Sequence, residues 1–251
     1  MDKTDYIFGI HSVIEAIDSG RTIDKIFIKK DLNGELATRL TQLARTHHIA
    51  IQRVPVERLN RITRKNHQGV VALTAAVDYA SLGNVMPMLF DDGVLPFILV
   101  LDGITDVRNF GAIARTAECC GVNAIVIPRH GSVSVGGDAV KTSAGALNYI
   151  PVCRENSVLS AVRYLKDSGC TIVCATEKSS QNYTRGNYTA PVALVMGAED
   201  TGISPEVLEL ADFRAGIPQF GHIESLNVSV AAGVMMYEVV RQRLADNLEV
   251  I

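Results

Sequence analysis

The spacing of apolar residues changes near residue 97, and that change divides the chain. Upstream, short apolar runs at helical and alternating spacing predict a helix over residues 10–17, a strand over 23–28, a helix over 36–46, a strand over 50–54, a short helix over 56–62 and a strand over 70–76. This alternation within about 75 residues, an ordinary length for a small domain, predicts a compact α/β unit over residues 1–77. Residues 78–96 carry two prolines and an Asp-Asp-Gly turn without clear periodicity, so 78–95 is expected to be a linker with room for one short helix.

Downstream the βα units are longer. Continuous apolar strands at 97–101, 124–127, 171–175, 192–196 and 214–217 alternate with helices at 111–120, at 157–168, from Pro205 and after Asn227. Strands that are apolar on both faces predict a parallel sheet with helices on both sides, in a domain over residues 96–251. Ligands in such sheets bind where the carboxyl ends of strands give way to loops. The last element, residues 217–243, is small or apolar through its first helical turns, which predicts burial in a core or against a second subunit. Ser225 and Asn227 stand at its entrance, screened from water, and read first as capping residues.

Composition narrows the class without choosing a function. Of 251 residues, 47% are hydrophobic and 20% charged, the balance of a soluble globular protein. Residues 1–79 hold 12 of the 24 Lys and Arg against 9 acidic residues, and the remainder 12 against 18. A polyanion would therefore meet the front of the chain first. Arg58, Arg61, Arg64 and Lys65 follow at near-helical spacing, a stripe suited to phosphates or to a solvated helix face. Five cysteines without a CxxC pair and six scattered histidines point to no disulfide framework and no metal site. The N-terminus lacks the apolar core of a signal peptide and no run is long enough to span a membrane, so a cytoplasmic location is expected.

Three loops at strand ends hold most of the polar, Gly-rich residues of the second domain. The first, in LDGITDVRNFGAIARTA, contains Asp102, Asp106, Asn109, Gly111 and Arg115. Asn109 and Arg115 are six residues apart, so they share a direction only if Asn109 lies in the loop; on a surface helix Arg115 would pair with Glu118. The second, LVMGAEDTGIS, sets Glu199 and Asp200 between Gly197 and Gly202, ahead of a Ser204-Pro205 helix start. The third is IPQFGHIESLNVSVAAGV. The stretch 136–146 fails as a phosphate loop because Val140 precedes Lys141, and neither GxGxxG nor GxSxG occurs.

Together, in this order and spacing, the three segments resemble the signature motifs of the SpoU/TrmH branch of the SPOUT RNA methyltransferases. The front domain is similar to the substrate-binding module of the branch members that 2′-O-methylate a guanosine in large-subunit ribosomal RNA. The resemblance implies a ribose 2′-O-methyltransferase using S-adenosyl-methionine, built on a SPOUT domain with a trefoil knot, acting as a homodimer on ribosomal RNA, with neither metal nor membrane. It further implies that Asn109, Arg115, Glu199, Ser225 and Asn227 are catalytic, that Gly197, Ile217 and Leu226, with Thr176 at the preceding strand end, contact the cofactor, and that Arg58, Arg61, Arg64 and Lys65 belong to the RNA-binding face. Val107 departs from the proline of many relatives. The same chemistry on transfer RNA, and a catalytically silent RNA-binding or assembly protein, are the competing readings.

Overall fold

Alternating apolar residues in the front of the chain give each strand one face for a helix pair and another for a single helix. The computed structural model describes residues 6–248, so the first five and last three residues of the expected domains lie outside the described residues. The first of two compact units runs to Asp78 and also takes in Ser134–Asp138; the second begins at Tyr79. In the first unit β1 (Tyr6–Phe8), α1 (Ile10–Asp18), β2 (Ile23–Lys29), α2 (Glu35–Thr46), β3 (Ala50–Val54), α3 (Val56–Ile62) and β4 (Val70–Thr74) follow in order. The sheet order is β1-β4-β2-β3, with β2 and β3 parallel and the other pairs antiparallel. Val13, Ile14 and Ile17 of α1 and Leu40 and Ala44 of α2 pack with Ile26, Ile28, Val70 and Ala72. Leu59 of α3 packs on the opposite face with Phe27, Val54 and Val71. β1 is too short to give a periodic signal, and the sequence does not predict it.

The second unit contains α4 (Leu82–Asp91), β5 (Phe97–Asp102), α5 (Val107–Cys119), β6 (Ala124–Pro128), α6 (Gly137–Thr142, whose first two residues group with the first unit), β7 (Val152–Glu155), α7 (Val158–Asp167), β8 (Thr171–Ala175), β9 (Val192–Gly197), α8 (Pro205–Leu208), β10 (Phe213–Ala215) and α9 (Val228–Leu248). Its sheet is wholly parallel, in the order β10-β8-β9-β5-β6-β7. Burial of both faces explains the unbroken apolar strands. Ile98, Val100, Val126, Ile172 and Val195 meet α4 and α7, while Leu99, Leu101, Val173 and Leu194, which alternate with them, are also fully buried. On that second side α5 packs on α9, and α9 on β9. No helix of the described residues is long and apolar enough to cross a membrane.

Several expected boundaries move. Residues 82–91, inside the stretch read as a linker, form α4, with Leu82, Val85, Met86 and Leu89 buried in the second core at i, i+3, i+4 and i+7 spacing. Pro87 hides that periodicity without ending the helix. β10 stops at Ala215 rather than at residue 217 because the next residue joins the loop after β8. Gly216 N donates to Gln181 O at 2.7 Å, and Tyr183 N to Gly216 O at 3.0 Å. The two backbones pass so closely that a Cβ on Gly216 would lie 2.4 Å from Ser179 O.

α9 is held near its end by one cation. The Arg243 guanidinium donates to the carbonyls of Tyr188, Leu95, Pro96 and Ala190 at 3.0 to 3.2 Å and lies over the Phe97 ring at 5.4 Å. Burial lowers its pKa from the usual arginine value.

A close approach in α5 yields a stability prediction. A Cβ on Gly111 would stand 2.6 Å from the Thr142 side chain and 3.0 Å from Ser143 N. Alanine in a helix interior ordinarily stabilises by about 1 kcal/mol, whereas overpacking of this kind costs about 1–3 kcal/mol. Gly111→Ala is therefore expected to lower the melting temperature in calorimetry; an increase would show that Thr142 yields freely.

Candidate active site

The site is assembled from three strand ends in the second unit. β5 ends on Asp102, whose Oδ2 accepts from Ser204 N at 2.8 Å and Ser204 Oγ at 2.7 Å, so the first loop is tied to the second. Asp106 then caps α5, its Oδ1 accepting from Arg108 N at 2.8 Å and Asn109 N at 2.9 Å. The helix therefore starts at Val107, not at residue 111. Asn109 lies in its first turn rather than in the loop, and the helical geometry turns Asn109 and Arg115 apart. The cap is legible as an Asp followed by helix-compatible residues, but the glycine at 111 draws the expected start toward itself.

The second loop leaves β9 at Gly197, where a Cβ would lie 2.2 Å from the backbone carbon of Gly202. Gly202 N donates back to Ala198 O at 2.9 Å, and Gly202 has a positive φ of 69°. Only glycines allow this fold-back, and it sets Glu199 on the rim. Ser204 precedes α8 as expected, yet its side chain bonds Asp102 instead of capping.

The third loop supplies the junction. Asn227 Nδ2 donates to Asn109 Oδ1 at 3.0 Å and to Glu199 Oε1 at 2.6 Å, while Asn227 Oδ1 accepts from Ser229 N at 3.0 Å and Ser229 Oγ at 2.5 Å. Glu199 Oε1 also accepts from Val228 N at 3.2 Å. Asn227 thus caps α9 and links all three loops with one amide. Ser225 caps nothing. Residues 218–227 are exposed in the single chain, so the entrance is not screened from water as expected. Nor is α9 buried on every side: Val230 and Tyr237 are 52% and 55% exposed.

Next to this junction lies a cavity of about 290 Å³, at the small end of small-molecule sites. Thr176, Gly197, Ile217 and Leu226 all line it, as do Glu199 and Ser225. Asp200, paired with Glu199 in the second motif but given no role there, lines it as well, as do Gln219 and Glu224, which the sequence does not single out. Arg115 does not. It is exposed, and among the described residues its guanidinium has no hydrogen bond or ion pair, with Glu118 or any other group. The structure therefore brings together Asn109, Glu199 and Asn227, sets Ser225 beside them on the cavity wall, and leaves Arg115 apart.

In the first unit Arg58 and Arg61 lie on α3, but the helix ends at Ile62, so Arg64 and Lys65 belong to the following turn and the stripe is not one helix face. All four are exposed. Aromatic rings underlie two of them, Phe27 beneath Arg58 at 5.3 Å and Phe8 beneath Lys65 at 5.2 Å. Among the described residues no group of His, Cys, Asp and Glu could hold a metal ion. Burial pushes the Cys153 and Cys174 thiols up to about 12 and those of Cys120 and Cys170 up to about 11, which keeps them protonated and unreactive at neutral pH.

Comparison with known proteins matches both units. Residues 96–237 fit the SpoU rRNA Methylase family, and residues 6–80 fit the domain described as RNA 2'-O ribose methyltransferase substrate binding. A Staphylococcus saprophyticus protein, provisionally named a TrmH family tRNA/rRNA methyltransferase, is 38% identical over 94% of this chain and 95% of its own. The AdoMet-bound rRNA methyltransferase of Sinorhizobium meliloti is 27% identical, with a TM-score of 0.60 over 96% of this chain and 88% of that one. The TrmH/SpoU tRNA modifying enzyme of A. aeolicus is 30% identical, with a TM-score of 0.53 over 60% of this chain and 76% of that one.

The double duty of Asn227 predicts a destabilised variant. Asn227→Asp keeps an oxygen to cap α9 but puts a carboxylate against Glu199 Oε1 and Asn109 Oδ1 in place of two donated hydrogen bonds. Because the groups are exposed, this should cost about 0.5–1 kcal/mol of stability. Glu199→Gln in the same chain removes the facing charge and should recover part of the deficit. Denaturant melts of wild type, both single variants and the double variant measure it; a deficit unchanged by Glu199→Gln would remove Glu199 from the account.

Proposed function

Because the chain belongs to the SpoU rRNA methylase family, we propose that it methylates a ribose 2′-hydroxyl of RNA with S-adenosyl-methionine, its target a guanosine of large-subunit ribosomal RNA. The observation that carries this reading is the Asn109–Asn227–Glu199 cluster on the rim of a cavity lined by Gly197, Ile217 and Leu226. The cavity fits that cofactor chemically. Ile203, Ile217 and Leu226 offer apolar walls for a flat ring, the fold-back at Gly197 exposes backbone groups, and Glu199, Asp200 and Glu224 suit a cationic ligand. When bound, S-adenosyl-methionine supplies an electrophilic methyl group on a sulfonium.

The hydrogen bonds divide the roles among the chain's own residues. Both amide protons and both acceptor sites of Asn227 are engaged, so it positions its neighbours rather than touching the ribose. Asn109, fixed through Oδ1, keeps Nδ2 for substrate, and Ser225 keeps its hydroxyl. Glu199 uses Oε1 to hold Asn227 and the start of α9, which leaves Oε2 as the acceptor for the hydroxyl proton. Holding the hydroxyl in line for transfer can supply about 7–11 kcal/mol of a barrier. Arg115, a permanent cation with no hydrogen bond or ion pair among the described residues, grips the phosphate beside the target ribose.

The protein works as a cytoplasmic homodimer in this reading. Val230, Tyr237 and Leu244, exposed at seven-residue intervals along α9, form an apolar seam that favours a second copy. The crossing of residue 216 with the loop after β8 is read as part of the trefoil knot that family membership implies. The likeness to the A. aeolicus tRNA modifying enzyme favours transfer RNA as the second reading, but it spans only 60% of the chain, whereas that to the Sinorhizobium rRNA methyltransferase spans 96%. Labelled-cofactor methylation of both RNAs from a strain lacking the protein, with mapping of the modified ribose, decides between them. Calorimetry with S-adenosyl-methionine tests the silent alternative, which expects no binding.

Two variants test the assigned roles. In single-turnover methylation of bound RNA, Arg115→Ala is expected to lose at least about 100-fold, and Arg115→Lys to recover only part of it, because a lysine cannot reproduce the planar two-point grip. A near-normal rate for Arg115→Ala would remove the residue from the mechanism. Replacing Arg58, Arg61 and Arg64 together by alanine should weaken RNA binding and flatten the log–log salt dependence by about 0.7 for each phosphate that is no longer neutralised. An unchanged slope would clear this edge of any part in binding.

A further inference from the structure

The turn 66–69 of the first unit is built more rigidly, and at greater conformational cost, than a connection between α3 and β4 requires. Gly69 N donates to His67 Nδ1 at 3.0 Å, so the imidazole proton is on Nε2, which donates to Asn60 Oδ1 at 2.9 Å. His67 is only 9% exposed. The backbone is pinned as well, with Val70 N donating to His67 O and Lys29 N to Gly69 O, both at 2.8 Å. Within this frame Gln68 adopts a left-handed φ of 48° while its side chain is exposed. That region favours glycine, and Gly69 directly follows. A long amide side chain kept at a left-handed position, where glycine would fit without strain, accords with a role for the side chain itself.

What surrounds it is a shallow depression of about 480 Å³ lined by Lys29, Asn60, Lys65, Asn66, His67 and Gln68, among others. The bond from His67 fixes Asn60 so that its Nδ2 donor is left for a ligand. Asn66 and Gln68 add two more carboxamides. Asp31 balances Lys29 at 3.0 Å, whereas Lys65, over the Phe8 ring, has no carboxylate partner among the described residues. Carboxamides with one available cation suit a base edge next to a phosphate. Resting on the reading of the chain as an RNA methyltransferase, we propose that this depression holds one unpaired nucleotide of the RNA. Its carboxamides read the base edge, adenine being the base a carboxamide meets bidentately, and Lys65 meets the adjoining phosphate.

Gln68→Gly separates function from folding, because glycine relieves the backbone while removing the reading group. The full-length chain is titrated with dye-labelled ten-nucleotide oligo(A), oligo(U) and oligo(C), followed by fluorescence anisotropy. Wild type is expected to bind oligo(A) about tenfold more tightly than the others. Gln68→Gly should lose that preference at an equal or higher melting temperature, and Lys65→Ala should weaken all three alike. The KM for cellular RNA in the methylation assay should rise about tenfold in Gln68→Gly. Equal wild-type binding to the three oligomers, or a preference that survives in Gln68→Gly, overturns the assignment; if methylation of cellular RNA persists, the methyltransferase reading stands without it. A wild-type chain that neither binds the oligomers nor methylates RNA overturns both.

Discussion

One carboxamide, that of Asn227, is the constraint on which the junction of the second unit's three loops depends. A helix entrance must satisfy its orphan amides, and a multi-loop site must hold side chains from distant segments in register. Asn227 meets both demands with a single group: Oδ1 accepts at the start of α9, while Nδ2 reaches α5 through Asn109 and the β9 loop through Glu199. Aspartate or serine could cap as well, but neither presents two donors on the other side. The choice of asparagine follows from the site and not from the helix. The carboxylate of Glu199 then closes the arrangement by accepting from both Asn227 Nδ2 and the Val228 amide, so loop, cap and helix are bonded to one another.

That arrangement is useful only if α9 cannot slide, and its far end is built to prevent it. Arg243 binds four backbone carbonyls, Gln242 bonds Gly186 O and accepts from Tyr188 N, and the Tyr188 hydroxyl donates to Tyr183 O. Those partners lie in the β8–β9 connection and before β5, the segments that precede the cavity loops in sequence. Burial raises the Tyr188 hydroxyl above its usual pKa and lowers that of Arg243, and both retain their hydrogen bonds despite it. The helix is therefore fixed at each end to different parts of one sheet, and the rim between them inherits its geometry from both.

How much of this is legible in the sequence follows physical lines. Strands that are apolar on both faces announce a covered parallel sheet, and β3, α3 and β8 fall at the expected residues. Elements whose signal is mixed with another are displaced: α4 behind Pro87, α5 behind Gly111 and β10 because its last residues pair with a distant loop. The three site loops can be found as motifs. Their mutual bonds cannot, since Asn109 and Asn227 are 118 residues apart and periodicity carries no information over that distance. Phe8 and Phe27 beneath the basic side chains are hidden for the same reason, being on strands while the cations are on α3 and the turn after it.

Arg115 is the one proposed site residue that the structure leaves apart from the others. Asn109, Glu199 and Asn227 are bonded to one another and Ser225 is set on the cavity wall, whereas this guanidinium lies off the cavity with no hydrogen bond or ion pair among the described residues. Glu118, three residues on, offers an ion pair that is not made. Surface pairs of that kind contribute only about 0–1 kcal/mol, so leaving the cation free costs the fold little. On the proposed function, that leaves a fixed positive charge for a phosphate that arrives with the substrate, and ties completion of the site to the RNA itself. In such a design, specificity for a folded RNA and activation of its ribose are one event, since the group that senses the backbone acts only once the correct strand is seated.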